Sequence, residues 1–307
     1  MRILLTGAQG MLGKHLKNHI DFNKYEWLLP TRNELDLLKF DTVNEFLKEK
    51  KPNFIIHAAA HTGGILANSK NNDEFLFANL NIGKNIICAA MENKITNFVN
   101  VNCSCLYPQD TKVPFKESFN LSENFEQTSF GYSLAKYKTL ILTKEASTNG
   151  YNYKNFTACN LYGPYDKFDT ENSHMISSAI QKIHIAKEKN YEKVEIWGDG
   201  RNKREYMYAA DFADFIMFAL KEFNSIPQNI NIGLGYEMTI DDYYEKISKI
   251  IGYNGTFTHI KEKPSGIKSK LMDNKLQLSL GWSAETTVEK GIQHTYNYFL
   301  KNISNYV

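Results

Sequence analysis

Several features are scarce in this chain, and each scarcity excludes something. Four cysteines in 307 residues, at Cys88, Cys103, Cys105 and Cys159, do not make a disulfide scaffold. No apolar run approaches the ~20 residues of a membrane span. Neither sign of charge dominates: 36 basic and 34 acidic residues leave a net charge of +2, so no nucleic-acid surface or basic membrane helix is expected. Cys103 and Cys105 stand as C-x-C without a second ligand pair, which is poor zinc spacing, and no metal is expected. The start, Met1-Arg-Ile-Leu-Leu-Thr6, has too short an apolar run for a signal peptide and leads straight into a glycine turn. The expectation is a cytoplasmic protein with neither nucleic-acid nor membrane partners.

What is present is ordinary globular composition, 42% hydrophobic and 23% charged. Strand-like and helix-like patterns alternate through the first half. Strands are expected at Arg2–Thr6, 26–29, Phe54–His57, Asn97–Cys103 and 153–160, and helices at 11–20, 73–91 and 132–147. Such alternation predicts an α/β fold, a Rossmann-type doubly wound parallel sheet with helices on both faces. Beyond Gly163-Pro164 the pattern is less regular, with strands expected at 194–197 and Asn229–Ile232. No linker is evident, so a smaller, interwoven C-terminal substrate-binding domain is expected. Residues 1–163 with 206–235 would form the cofactor half; residues 164–205 and 236–307 would hold the substrate.

The first strand runs into Gly7-Ala-Gln-Gly10-Met-Leu-Gly13, a G-x-x-G-x-x-G turn that opens a helix. Glycine permits the tight turn and lets a pyrophosphate approach the helix N-terminus, where free N–H groups favour an anion. Three glycines alone are weak; their position between a first strand and a helix makes them a dinucleotide site. The end of the second strand selects the cofactor. An acid there would bind a ribose 2′-hydroxyl, an arginine a 2′-phosphate. The chain reads Leu28-Leu-Pro-Thr-Arg32, with no acid before Glu34, so Arg32 predicts NADP(H), with Asp36 at the adenine.

Residues 132–136 read Tyr-Ser-Leu-Ala-Lys, a Y-x-x-x-K pair on one helix face. An ammonium beside a phenol favours phenolate and should lower the tyrosine from its reference of ~10. Tyr132 would pass a proton to a substrate oxygen as hydride moves, with Lys136 also holding the nicotinamide ribose.

With these motifs in place, the chain resembles the GDP-L-fucose synthase family of extended short-chain dehydrogenases over essentially its whole length. The resemblance rests on Thr31-Arg-Asn-Glu-Leu-Asp-Leu-Leu38, Ala58-Ala-Ala60 with Gly63-Gly-Ile65, Ser104-Cys-Leu-Tyr-Pro108, Asn160-Leu-Tyr-Gly-Pro164, Asn172-Ser-His174, Trp197-Gly and Arg204-Glu205. It implies that Tyr132 and Lys136 reduce a 4-keto group, with Ser104 beside them. Cys105 and His174 would be the acid/base pair that inverts C3 and C5. Gln9, Met11, Ala58, Ala60, Asn160 and His174 would join the glycines at the cofactor. Asn160, Lys182, Trp197 and Arg204 would hold a GDP-linked 4-keto sugar, and a homodimer would form through the helices at 73–91 and 132–147. A thiolate opposite an imidazole can move protons alpha to a carbonyl near neutral pH.

Three positions depart from the family. Lys182 stands where arginine is usual, giving a point-charge contact in place of a bidentate one. Gln9 stands where the glycine turn has arginine. Cys103 stands where a serine or threonine donates to the keto oxygen, and a thiol is a weak donor. Ser104 should face away if the strand stays regular. Two enzymes are therefore expected as alternatives: an epimerase/reductase, or a C4 reductase alone acting on a GDP-4-keto heptose or deoxyhexose. A non-catalytic NADP-sensing protein is a third, which the Tyr132/Lys136 pair argues against.

Overall fold

In the computed structural model of the chain, which describes residues 1–118, 123–169 and 172–306, the first half alternates as its hydrophobic pattern dictates. The elements are β1 (Arg2–Thr6), α1 (Met11–Lys17), β2 (Glu26–Leu28), α2 (Phe40–Lys50), β3 (Phe54–His57), α3 (Ile65–Lys70), α4 (Asn72–Glu92), β4 (Asn97–Cys103), α5 (Phe130–Thr148) and β5 (Asn152–Ala158). The second half follows with β6 (Asn160–Tyr162), α6 (Met175–Glu188), β7 (Lys193–Trp197), β8 (Lys203–Arg204), β9 (Tyr206–Tyr208), α7 (Ala209–Lys221) and β10 (Asn229–Ile232). It ends with β11 (Met238–Thr239), α8 (Ile240–Ile251), β12 (Thr256–Ile260), α9 (Lys275–Ser279) and α10 (Val288–Lys301).

Six strands form one parallel sheet in the order β10-β5-β4-β3-β1-β2. Successive residues of β1 explain the layers. Ile3 and Leu5 join one buried cluster with Phe156, Phe212 and Phe215; Leu4 joins another with Leu47, Ile55, Ile86 and Phe98. Alternate side chains leave a strand on opposite faces, so a fully apolar strand requires helices on both. The direction of winding reverses between β1 and β3. Open α/β sheets form their ligand crevice at the carboxyl ends of the strands flanking such a switch. A third cluster gathers Ile176, Ile180, Ile196, Tyr243, Ile247 and Phe299 from the second half.

Two sequence expectations need correction. The helix expected over 11–20 stops at Lys17; the chain then turns so that Phe22 stacks on Trp27 at 4.6 Å and its carbonyl accepts the indole N–H at 2.7 Å. The strand expected over 153–160 is two strands: β5 stays in the sheet, while β6 leaves it and pairs with β9. The irregular second half contains well-formed helices. Of its short strands, β10 joins the six-stranded sheet and the others pair two by two; β7 and β10 lie where the sequence pattern predicts strands, while those of two or three residues are too short for a period to show. Among the described residues, no helix is long and apolar enough to cross a membrane.

Candidate active site

The glycine turn closes by backbone contact alone. Gly7 has φ +74°, and a Cβ there would stand 2.8 Å from the backbone of Ala58. A Cβ on Gly13 would stand 2.4 Å from the Gly7 carbonyl, so this glycine lets α1 lie against the end of β1. No side chain caps α1 at Gly10, leaving its first N–H groups free for an anion. These features fit a dinucleotide pyrophosphate. Gly7, Gln9, Gly10, Met11, Gly13, Ala58 and Ala60 line one end of a cavity of about 740 Å³. Arg32 lies in the exposed turn after β2, and the Asp36 carboxylate accepts from the Leu38 N–H at 3.1 Å; neither belongs to the lining of this cavity.

Tyr132 and Lys136 occupy successive turns of α5, and both line the same cavity. The Lys136 Nζ donates to the Val101 carbonyl at 2.9 Å and lies 5.9 Å from the Tyr132 ring centre. The expectation of a lowered tyrosine is overturned here. Burial pushes the phenol well above its usual range, and the neighbouring thiols of Cys103 and Cys105 push the same way. Burial also holds the Lys136 ammonium below the usual lysine range. The phenol therefore keeps its proton.

The end of β4 departs from the regular strand assumed for it. Cys103 is its last residue, and residues 104–106 turn at once into a 3-10 helix. That turn brings Cys103, the buried Ser104 and Cys105 all into the cavity lining, where a regular strand had been assumed to continue. The two thiols interact. A hydrogen bond from the Cys105 side chain holds the Cys103 thiol below the usual thiol range, and the Lys136 charge adds to this against the opposing effect of burial. Burial pushes the Cys105 thiol well above that range.

His174 sits at the N-cap of α6 and lines the cavity. Its flank is fixed by the glycine pair at 63–64: Gly64 N–H donates to the Asn172 carbonyl at 3.0 Å, and a Cβ on Gly64 would stand 2.3 Å from the Ser173 carbonyl. Two motifs a hundred residues apart in sequence are thus one contact.

At the other end of the cavity stand Lys182, Trp197 and Arg204. The Lys182 ammonium lies 5.0 Å from the Trp197 ring centre, and Lys263 lies 5.6 Å from it. Burial holds Lys182 below the usual lysine range. The Arg204 guanidinium donates to the carbonyls of Lys203 at 2.7 Å, Ser265 at 2.9 Å and Ile267 at 2.6 Å. Its neighbour Glu205 is fully buried and accepts from the N–H groups of Leu234, Gly235 and Met272. Burial raises that carboxyl to about 7, against the pull of those donors. Arg204 and Glu205 thus staple the loop preceding α9 to the sheet. Asn160 lines the cavity and donates to the Glu205 carbonyl at 2.9 Å.

That loop delivers Lys270, which the sequence reading did not single out. Lys270 lines the cavity, close enough to Arg204, Cys103 and Cys105 to interact electrostatically, and burial lowers it from the usual lysine range. One lysine in a lysine-rich chain, on an irregular loop, carries no periodic or motif signal. Tyr165 was also passed over. It lines the cavity with φ +72°, held by edge contacts with His15 at 5.5 Å and Tyr298 at 4.9 Å. Among the described residues, no group of three or more His, Cys, Asp or Glu side chains could hold a metal ion.

Comparison with known proteins shows what the chain as a whole resembles. Residues 3–233 match the model of the NAD dependent epimerase/dehydratase family. The chain is 46% identical to a GDP-L-colitose synthase of Yersinia pseudotuberculosis, covering 99% of this chain and 100% of that one. It is 36% identical to a GDP-L-fucose synthase of Azorhizobium caulinodans, over 97% and 96%. Among solved structures, a GDP-6-OMe-4-keto-L-xylo-heptose reductase from C. jejuni superposes with a TM-score of 0.90 at 26% identity, over 98% of each chain. A GDP-mannoheptose C4 reductase from Campylobacter jejuni with NADP bound superposes at 0.86 and 27%, over 97% and 98%.

Proposed function

The chain belongs to the GDP-L-fucose synthase and GDP-4-keto-sugar reductase family within the NAD dependent epimerases/dehydratases, as an NAD(P)-dependent enzyme of GDP-sugars, and we propose that it uses NADPH to reduce C4 of a GDP-linked 4-keto sugar, completing an L-sugar of the colitose or fucose type. The observation that carries this reading is one cavity. The glycine turn, the Tyr132/Lys136 pair, Cys105, His174 and the Lys182/Trp197 end all line it.

The bound cofactor supplies hydride. The chain's own residues do the rest. The glycine turn and the first turn of α1 receive the pyrophosphate, and Arg32 receives the 2′-phosphate. Gln9, Met11, Ala58, Ala60 and Asn160 shape the same pocket, with Asp36 at the adenine. Lys182 meets the diphosphate as a point charge, while Trp197 offers a ring face beside it. Arg204 contributes mainly by holding the loop that carries Lys270. Tyr132, its phenol pushed above the usual range by burial, donates to the C4 oxygen, and the Lys136 ammonium lowers the cost of the phenolate left behind. Cys105 and His174 exchange protons at carbons next to the ketone, and Ser104 lies beside them.

A second reading, C4 reduction alone, is favoured by Cys103. A sulfur held toward the thiolate form is an acceptor where an enolate needs a donor. The two Campylobacter heptose reductases, similar over almost the whole chain, support the same alternative.

The deciding experiment is incubation with NADPH and a panel of GDP-4-keto sugars in deuterated water. The main reading expects C4 reduction with deuterium at a neighbouring carbon. Reduction without deuterium selects the second; no NADPH oxidation with any member overturns both. The exposed side of α4, with Phe77 62% exposed and α5 packed beside it, supports a homodimer. Light scattering giving only the 35.3 kDa monomer at micromolar concentration overturns that.

A further inference from the structure

The four cysteines differ sharply in setting. Cys159 is buried and Cys88 half-buried on α4; burial pushes both thiols upward, away from reactivity. Cys103 and Cys105 are half-buried, line the open cavity and interact with each other. Lys136 and Lys270 supply positive charge beside them. A single residue with helical backbone, Ser104, separates the two. That turn shortens their Cα separation below a fully extended span, toward the range of about 4.4–6.8 Å that disulfides occupy.

We propose that Cys103 and Cys105 form an oxidisable dithiol, a modification site at which a hydroperoxide closes a disulfide in the cavity wall and stops turnover. The Cys103 thiolate attacks the peroxide; an S–O bond forms, the O–O bond breaks, and the departing alkoxide or hydroxide takes up the proton the thiol released on ionising, leaving as alcohol or water. Cys103 is then a sulfenic acid. The Cys105 sulfur attacks it; the S–S bond forms, the S–O bond breaks, and water leaves carrying the Cys105 proton. Overall two thiols lose two electrons to the peroxide. The bridge removes the Cys105 proton carrier and draws the Cys103 sulfur away from Tyr132. Only this effect on turnover rests on the function proposed above; the chemistry of the dithiol stands apart from it.

The test treats the full chain with a small excess of hydrogen peroxide and follows two readouts. Intact mass should fall by two hydrogens, denatured thiol titration should drop from the four cysteines to two, and peptide mapping should join 103 to 105. NADPH turnover should fall in step, and both should recover with dithiothreitol. Cys103→Ser should not lose two hydrogens under the same treatment. Added oxygen on either sulfur without a bridge, a bridge to Cys88 or Cys159, or four titratable thiols after treatment overturns the proposal. Because the mass readout needs no substrate, absence of turnover in untreated protein would count against the proposed function and leave the dithiol to be judged by mass. A bridged protein with full turnover would overturn the regulatory consequence.

Discussion

The Lys136 ammonium donates to the Val101 carbonyl at 2.9 Å, tying the lysine of α5 to β4, the strand that ends at Cys103. It leaves the Tyr132 phenol beside a cation without a direct hydrogen bond to it, and burial keeps that phenol protonated. Tyr132→Phe should retain cofactor binding and lower kcat by the ~10²–10⁴-fold expected for a lost general acid. Near-normal turnover in stopped-flow NADPH oxidation would move the catalytic proton elsewhere.

Arg32 projects from an exposed turn, and no acid precedes it at the end of β2. NADPH should be preferred over NADH. Arg32→Ala should reduce the ratio of the two kcat/KM values by about tenfold or more, the equivalent of one lost charge-assisted contact. Equal kcat/KM for both cofactors in the unmutated protein would remove the basis for this assignment.

On the proposed function, Cys103 would stand where a hydroxyl donor meets the keto oxygen, and its thiol is held below the usual range by Cys105. Negative charge that builds on an enolate needs donors, whereas Tyr132 delivers a full proton during reduction. On the second reading, reduction should therefore be intact and epimerisation slow. Cys103→Ser should raise deuterium exchange beside the ketone more than it raises hydride transfer. If the unmutated protein exchanges those positions faster than it oxidises NADPH, the weak-donor argument is wrong.

Two histidines should set the acid limit of stability. Burial lowers His15 to about 4 and His57 to about 3, both from 6.5. Folded, they stay neutral where the unfolded chain takes up protons. Stability is thus highest above pH 6.5 and falls as the pH drops from 6.5 through these values. Each histidine should cost about 2 kcal/mol by pH 5. His15 Nε2 has no hydrogen-bond partner among the described residues, and the ring packs edge-on against Tyr165 and Tyr208. His15→Phe should keep those ring contacts and lose less Tm than the unmutated protein between pH 7.5 and 5. An unchanged Tm difference would overturn this.

The sequence by itself determined the sheet half of the protein. A buried strand, a glycine turn and a helix in immediate succession depend on interactions within about a dozen residues, and Gly7, Gly10 and Gly13 mark them without any knowledge of the rest. The one-face spacing of Tyr132 and Lys136 is likewise local, because helical geometry places residues four apart on one side. What lies opposite that face is not local. Lys270 reaches the thiols through a loop stapled by Arg204 and Glu205, contacts that span some sixty residues of chain. The exit of β6 from the sheet was illegible for the same reason: its partner is β9, which the sequence around residue 160 does not contain. The state of Tyr132 also needed the fold. Pair spacing showed an ammonium near a phenol, but burial, decided by everything packed around α5, outweighs that charge and keeps the proton in place.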